Sequence, residues 1–366
     1  MRLQELSLTN FKNIPSARLE LSGKVNCFLG DNGMGKSNLL DAVYFLSFCK
    51  SFTGVPDRMA ITRGEEFAIL KGTYERKEMP EELLMGIAAG RRKSLRRGGK
   101  EYPRLSSHIG AFPLVMVAPQ DIDLIRDSGE ERRKWLDMVI SQSDPLYLDS
   151  LIRYNKGLEQ RNRLLREGCV DHQLYGAVET MMELSAEYIH DARKRRVDEL
   201  TVLFRRHYAS IAGTGEEVSL TYDSHLNEPG ATMLSLFDSA RRRDEILHHT
   251  SVGPHRDDIV MWLDGMPMRR TASQGQCKSF TTALRFAQYD FLREATGMRP
   301  LLLLDDIFDK LDAGRVGRIM ELVSSSDGFG QIFITDTNRK HLDEIMARTG
   351  GDVRMWHVEA GNFSPI

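Results

Sequence analysis

The sequence lacks most of the features that would assign it to a membrane, an export route or a disulfide scaffold. Its 366 residues include only four cysteines, Cys27, Cys49, Cys169 and Cys277. They are scattered without metal-knuckle spacing, and reduced thiols in a cytoplasm are expected. No apolar run approaches the ~20 residues that cross a bilayer. The opening segment, MRLQELSLTNF, alternates apolar and polar residues instead of forming the apolar heart of a leader, so export is not expected. Charge of one sign is also missing: 50 Lys and Arg face 52 Asp and Glu, a net of −2. Any contact with a polyanion must then come from local basic patches. There is no internal repeat and no low-complexity stretch. What is present, 41% hydrophobic and 28% charged residues, suits a soluble globular chain of one large or two modest domains.

The densest local signal is GDNGMGKS, Gly30-Asp31-Asn32-Gly33-Met34-Gly35-Lys36-Ser37. It fits the phosphate-binding P-loop spacing G-x-x-x-x-G-K-[ST]. Glycines let the backbone fold tightly, so that successive N–H groups point at phosphate oxygens. Lys36 would place its charge on the β- and γ-phosphates, and the Ser37 hydroxyl would ligate Mg²⁺. The context agrees: KVNCFLG reads as a short strand, and SNLLDAVYFLSF carries Leu39, Leu40, Val43 and Leu46 at helical spacing. The bland alternative is a chance glycine-rich turn.

Strand patterns surround the loop, with Leu6 and Leu8, then Leu19 and Leu21, alternating with polar residues. Residues 84–104 read as a hairpin turning at Gly98-Gly99. It carries Arg91, Arg92, Lys93, Arg96 and Arg97, either a phosphate-contacting patch or a solvated hairpin. PLVMVAPQD is a buried strand ending near Gln120. From 129 to 210 the pattern changes to long helices. Tyr147, Leu151, Tyr154, Leu158 and Leu165 form one heptad-like stripe, and Leu174, Val178, Met181, Leu184 and Tyr188 a second. With REGCVDH as the turn, they predict an antiparallel helical arm or an ordinary helical subdomain. A strand near 218–222, a charged helix near 231–248 and a hairpin at Asp264-Gly265 follow, then a long helix over 274–296. The expected division is 1–125, 126–250 and 251–366, with one α/β head built from both chain ends around a helical insertion.

The second half of the site comes from the far end. LLLLDD is an apolar strand ending in two acids. Asp305 fits the Mg²⁺-holding Walker B position opposite Ser37, and Asp306 can polarise an attacking water. Two acids at a buried strand end are costly unless a cation or proton is there. Ser273-Gln274-Gly275-Gln276 resembles the ABC ATPase signature, with Gln for its first Gly. At a helix start, Ser273, Gly275 and Gln276 would offer a hydroxyl, N–H groups and an amide to a γ-phosphate. In ABC geometry that nucleotide belongs to a second subunit. Gln120 matches the Q-loop, touching Mg²⁺ and water, and Asp309 to Asp312 match the D-loop. Asp336 stands where transporters carry a switch His, which speaks against a transporter and leaves γ-phosphate sensing open.

With these elements in place, the chain resembles the RecF family of bacterial DNA replication and repair proteins, SMC-like ABC ATPases. The resemblance runs through LSLTNFKNI, GDNGMGKSNLLDAVYFLS, ERRKWLD, YNKGLEQRNRLL, TSVGPHRDDI, SQGQ and LLLLDDIFDKLD. Lys12 replaces the family's usual Arg, and Gln120 stands where many members have an acid. The segment Gly253-Pro254-His255-Arg256-Asp257-Asp258 is specific to the family; its residues suggest no chemistry of their own, and a structural turn and a DNA- or interface-facing loop are both open. The resemblance implies a weak ATPase that binds ATP and Mg²⁺, dimerises on single-stranded, gapped or junction DNA, and acts with RecO and RecR in recombinase loading and the SOS response. A transporter-like motor cassette and an ATP-coupled nuclease are the alternatives. The first calls for a His at 336, the second for a further acidic metal cluster beyond it.

Overall fold

The computed structural model describes residues 1–213, 215–325 and 328–366, and divides into two compact units. The first comprises Met1–Asp121, Ser210–Gly213 and Gln274–Ile366. The second comprises Ile122–Ala209 and Thr214–Ser273. Residues 251–273, grouped with the C-terminal segment in the sequence division, thus lie in the second unit. Strand pairing explains this, because Asp258–Leu263 zips antiparallel onto Val218–Asp223. Among the described residues no helix is long and apolar enough to cross a membrane.

The first unit holds a six-stranded sheet whose order is Asn362–Pro365, Val353–Glu359, Val25–Leu29, Ile332–Asp336, Leu301–Asp305 and Leu114–Val117. Its inner strands pair in parallel. VNCFL, LLLLD, IFITD and LVMV are nearly continuous apolar runs because both faces of a parallel sheet are covered. A second, antiparallel sheet carries the alternation of a one-faced strand. In Arg2–Phe11 the buried side chains are Leu3, Leu6, Leu8 and Phe11. Leu3 and Leu6 share a face despite their odd separation because the register shifts between Leu3 and Glu5, the effect of a bulge. Gly98-Gly99 turns the short hairpin Ser94–Arg97 to Lys100–Glu101, both at positive φ, as a tight primed turn needs.

The second unit is built on helices Gly129–Ser141, Pro145–Arg166, His172–Ala212 and Met233–Leu247. Pro145–Arg166 and His172–Ala212 run antiparallel, bonded from Arg161–Glu179 near the turn to Asp144–Tyr188 farther along. At Gly157 a Cβ would come within 2.4 Å of Met182, so only glycine permits this approach. The first stripe is largely buried at Tyr147, Tyr154 and Leu165. The second is displaced by about one residue: Tyr175, Met182, Ala186 and Ile189 face inward, whereas Leu174, Met181 and Leu184 are exposed. The inward face is itself an apolar stripe at heptad-like spacing, and Glu179 falls on it, where it meets Arg161.

The family-specific segment 253–258 closes a buried tie in this unit. Gly253 has φ 109°, and a Cβ there would lie 2.6 Å from the Tyr154 hydroxyl. Tyr154 Oη also bonds His255 Nδ1 at 2.8 Å. Arg193 donates to the Pro254 carbonyl (2.6 Å) and pairs with Asp257 (2.9 Å) and Asp137 (2.8 Å). Tyr222 donates to Asp257, and Arg132 grips Asp258 through Nε and Nη2 at 2.7 and 2.9 Å. The segment is an anchor for one strand and three helices.

Candidate functional site

The P-loop leaves the end of the buried strand Val25–Leu29 and enters the helix Lys36–Phe48, so unpaired helix N–H groups open toward the loop. Gly33 and Gly35 take φ of 80° and 113°, conformations that favour glycine. Lys36 is buried, and its Nζ donates to the carbonyls of Gly30 (2.6 Å) and Asp31 (3.0 Å), curling the loop around its own cation. Asp31, Asn32, Gly33 and Ser37 are exposed, Met34 partly so.

Two further segments brace the loop. Asn13 Nδ2 donates to the Gly33 carbonyl (3.4 Å), and its Oδ1 accepts from Asn38 Nδ2 (2.8 Å). From the C-terminal hairpin, the Gly361 N–H donates to the Met34 carbonyl at 2.8 Å. A Cβ on Gly361 would fall 2.1 Å from the Asn13 carbonyl, and one on Gly30 would fall 2.3 Å from that of Val358. Lys12 pairs with Asp41 of the P-loop helix at 2.7 Å. Beside Asn13 lies a cleft of about 630 Å³, lined by Lys12, Arg58, Met59, Thr62 and Arg63 among others.

Chain ends far apart in sequence meet at the acids. Ser37 Oγ donates to Asp305 Oδ1 at 2.9 Å, and Thr335 Oγ1 donates to the same oxygen at 2.7 Å. Thr335 Oγ1 also accepts the Asp306 N–H at 3.1 Å. One hydroxyl therefore fixes the Asp305 side chain and the Asp306 main chain together. Asp306 has φ 44°, unusual for a residue other than glycine and held by these neighbours. Burial raises the Asp305 carboxyl above its ordinary range, against the hydrogen bonds from Thr335 and Ser37. Burial also raises Asp306, reinforced by Asp305.

The structure therefore brings Gly30 to Ser37, Asp305 and Asp306 to one place. Gln120 is exposed beyond Leu114–Val117, and the buried residue there is Asp121, which pairs with Arg285. Gly275 and Gln276 lie in the first turn of the helix Gln274–Thr296, where a Cβ at 275 would approach Arg315 Nη1 to 2.9 Å. Ser273 is exposed at the end of the second unit. Asp336 accepts the Asn338 N–H and His341 Nδ1, each at 2.8 Å, and so organises the start of the helix Arg339–Thr349.

Sequence reasoning missed Thr335, Lys278 and the Asp121–Arg285 pair. Thr335 had a readable signal, a hydroxyl at the end of an apolar strand, one residue before an acid. Its registry with Asp305 on the neighbouring strand is visible only in the fold.

The basic patches are less open than the sequence suggests. Lys93 pairs with Asp57 (2.8 Å) and Arg97 with Glu81 (2.7 Å), while Arg91 and Arg92 are exposed. In the second unit the run Arg241-Arg242-Arg243 is a further basic patch, where Arg241 pairs with Glu179 (2.8 Å) and Arg242 is exposed.

Comparison with known proteins gives this geometry a context. The AAA ATPase domain family matches residues 1–137. DNA replication and repair protein RecF of Parabacteroides distasonis is 46% identical over 366 residues, covering 100% of both chains. RecF of Bacteroides fragilis is 47% identical over 368 residues, covering 100% of this chain and 99% of its own. The chain belongs to the RecF family of DNA replication and repair proteins. A solved structure of the recombination mediator RecF with ATP, of the RecFOR pathway, superposes with a TM-score of 0.89 at 26% identity. The match covers 100% of this chain and 97% of that one. An Smc head domain from Pyrococcus furiosus, at 16% identity and a TM-score of 0.57 over 100% of this chain and 96% of its own, shares the fold. The SMC-like ABC head expected from the motifs is the fold observed. The family match does not support the motor-cassette or nuclease alternatives.

Proposed function

We propose that this chain is an ATP-dependent DNA-binding protein of replication and recombinational repair, whose P-loop site is completed by the signature of a second copy. The observation that carries the reading is the 2.9 Å bond between Ser37 and Asp305, which joins the P-loop to the Walker B strand. The first-unit residues fit ATP part by part. P-loop N–H groups and Lys36 hold phosphates, and the cleft beside Asn13 receives the nucleoside. Ser37 and Asp305 are the oxygen donors for Mg²⁺, with Gln120 as a further candidate. Among the described residues there is no cluster of three or more His, Cys, Asp or Glu able to cage a metal. That suits Mg²⁺, which binds through one or two carboxylates plus phosphates and water. When bound, the ion neutralises charge on the β- and γ-phosphates.

Asp306, raised by burial, accepts a proton from the attacking water, and its main chain is set by Thr335. Ser273, Gly275 and Gln276 serve the partner's nucleotide, so ATP joins two copies and slow hydrolysis releases them. DNA in single-stranded or gapped form, with RecO and RecR, is the expected partner set, and the cytoplasm the expected place. The labour divides with the two units: the first carries the phosphate site, the two acids and Gly275 and Gln276, and the second carries the helical lobe and Ser273.

Sizing the protein with ATP or ADP, with and without gapped DNA, tests the reading. ATP should yield a dimer that ADP does not. Ser273→Arg should keep monomer ATP affinity and lose the dimer, because the added cation blocks close approach. Full ATPase activity of that variant at concentrations too low for association would sink the composite site.

A further inference from the structure

The helix Gln274–Thr296 carries two cations seven residues apart, and hence on one face. Both face the strand ends of the first unit. Arg285 Nη2 pairs with Asp121 Oδ1 at 2.5 Å, and Asp121 Oδ2 accepts the Ala118 N–H at 2.9 Å, which fixes the segment that carries Gln120. One turn from the helix start, Lys278 Nζ donates to the main-chain carbonyl of Asp306 at 3.3 Å. Burial pushes the Lys278 ammonium below its ordinary range, while Asp121, Asp309, Asp306 and Asp305 pull the other way.

A lysine kept in such a place needs a reason beyond packing, since a Met would fill the space without the cost of desolvating a charge. Its hydrogen bond is also informative. It goes to a carbonyl, so it orients Asp306 without engaging the carboxylate. The main chain of Asp306 is then held at both ends, its N–H by Thr335 and its C=O by Lys278, in a left-handed conformation that needs such support.

We propose that Lys278 is a positioning residue that couples the two composite sites of a dimer. It ties the helix opened by Gln274-Gly275-Gln276, which serves the partner's nucleotide, to the main chain of Asp306, which serves this chain's own. This rests on the composite-site reading above. Seating of the signature on the partner then sets the acid of the same chain, and association itself switches hydrolysis on. The two-state element is the Asp306 turn, biased through one hydrogen bond from the helix.

The test compares full-length wild type, Lys278→Met and Lys278→Arg. ATP affinity, ATP-driven association and hydrolysis rate per chain are followed as protein concentration crosses the association range. In wild type the rate per chain should rise as dimers form. Lys278→Met should bind ATP and associate normally, yet its rate should stay flat, tenfold or more below wild type at saturation. Lys278→Arg should restore most of the rise. A rise that persists in Lys278→Met overturns the proposal. So does a joint loss of thermal midpoint, ATP affinity and association, which would mark a structural role. If Lys278→Met does not fold, Lys278→Gln carries the same comparison. If wild type shows neither ATP-driven association nor the rise, the composite site itself fails, and the coupling falls with it.

Discussion

Two buried polar centres in this molecule treat charge in opposite ways. In the second unit, Arg161 is fully buried and meets Glu179 at 2.8 Å and Asp244 at 2.7 Å, while Arg193 meets Asp137 and Asp257. Acids and cations are matched within the fold. In the first unit, Asp305 is just as deeply placed but is met by hydroxyls, from Ser37 and Thr335, and Lys36 bonds carbonyls of its own loop. The matched centre holds helices and strands together. The unmatched one keeps its acid apart from its cation, which is the arrangement a nucleotide with a divalent ion would complete.

The most damaging test of this contrast strikes the matched centre. Arg193→Met removes the cation from between Asp137 and Asp257 and leaves the buried Asp257 carboxylate and the partly exposed Asp137 without it. A loss of about 3–5 kcal/mol is expected, read from urea denaturation. If Arg193→Met costs less than 1 kcal/mol on the same scale, the second centre is not a matched anchor and the contrast collapses. Next comes Lys36→Ala in the unmatched centre. Its folding cost should be small by comparison, because the partners left behind are carbonyls at the edge of an exposed loop. ATP affinity should fall by roughly two orders of magnitude or more, for loss of a charge-assisted contact. Titration with a fluorescent ATP analogue reads this directly, and unchanged affinity would remove Lys36 from the phosphate site.

These two centres also mark what could be read from sequence. The unmatched one was legible because phosphate chemistry fixes its spacing locally: Gly30 to Ser37 lie in one turn, and Asp305-Asp306 end one apolar strand. The matched one was not. Glu179 pairs with Arg161 across a helical hairpin, on an inward face one residue on from the stripe read in the sequence, which leaves Leu174, Met181 and Leu184 outward. The segment 253–258 could be recognised but not explained, since its partners Tyr154 and Arg193 are distant in sequence. Lys278 was invisible because it acts through the main-chain carbonyl of Asp306, which no side-chain pattern records; Thr335 left a signal, a hydroxyl ending an apolar strand, but its registry with Asp305 did not.

A smaller effect separates charges tied up in the fold from charges left for DNA. Lys93 and Arg97 are paired, so reversing them should disturb the hairpin more than any DNA contact. The exposed pair is the sharper probe. Arg91→Glu with Arg92→Glu should lower the log–log salt slope of DNA binding by about 0.7–0.9 per lost phosphate contact, with little change in thermal midpoint. An unchanged slope would place the DNA surface elsewhere.

The smallest effect has the most telling sign. Burial raises the Asp305 carboxyl, and Asp306 as well, above the unfolded value of about 3.9. A carboxyl shifted this way adds stability below its unfolded pKa, and that contribution is lost as pH rises through the higher folded value. Nucleotide-free protein should therefore lose stability as pH climbs from about 4 through the range just above ordinary carboxylates. Burial raises Asp257 likewise, although Arg193 opposes it, so part of the slope belongs to the second unit. Asp305→Asn removes only the first unit's share. It also relieves Asp306 of a neighbouring charge, while the amide oxygen still accepts from Ser37 or Thr335. The variant should melt higher than wild type at neutral pH, on the order of 1–3 °C, with a flatter dependence on pH. Mg²⁺ with ATP should reverse the order, because wild type gains binding free energy that the variant largely lacks. Thermal melts across this pH range, with and without Mg²⁺ and ATP, check both signs. A variant that melts lower than wild type in both conditions would mean that Asp305 is matched within the fold after all.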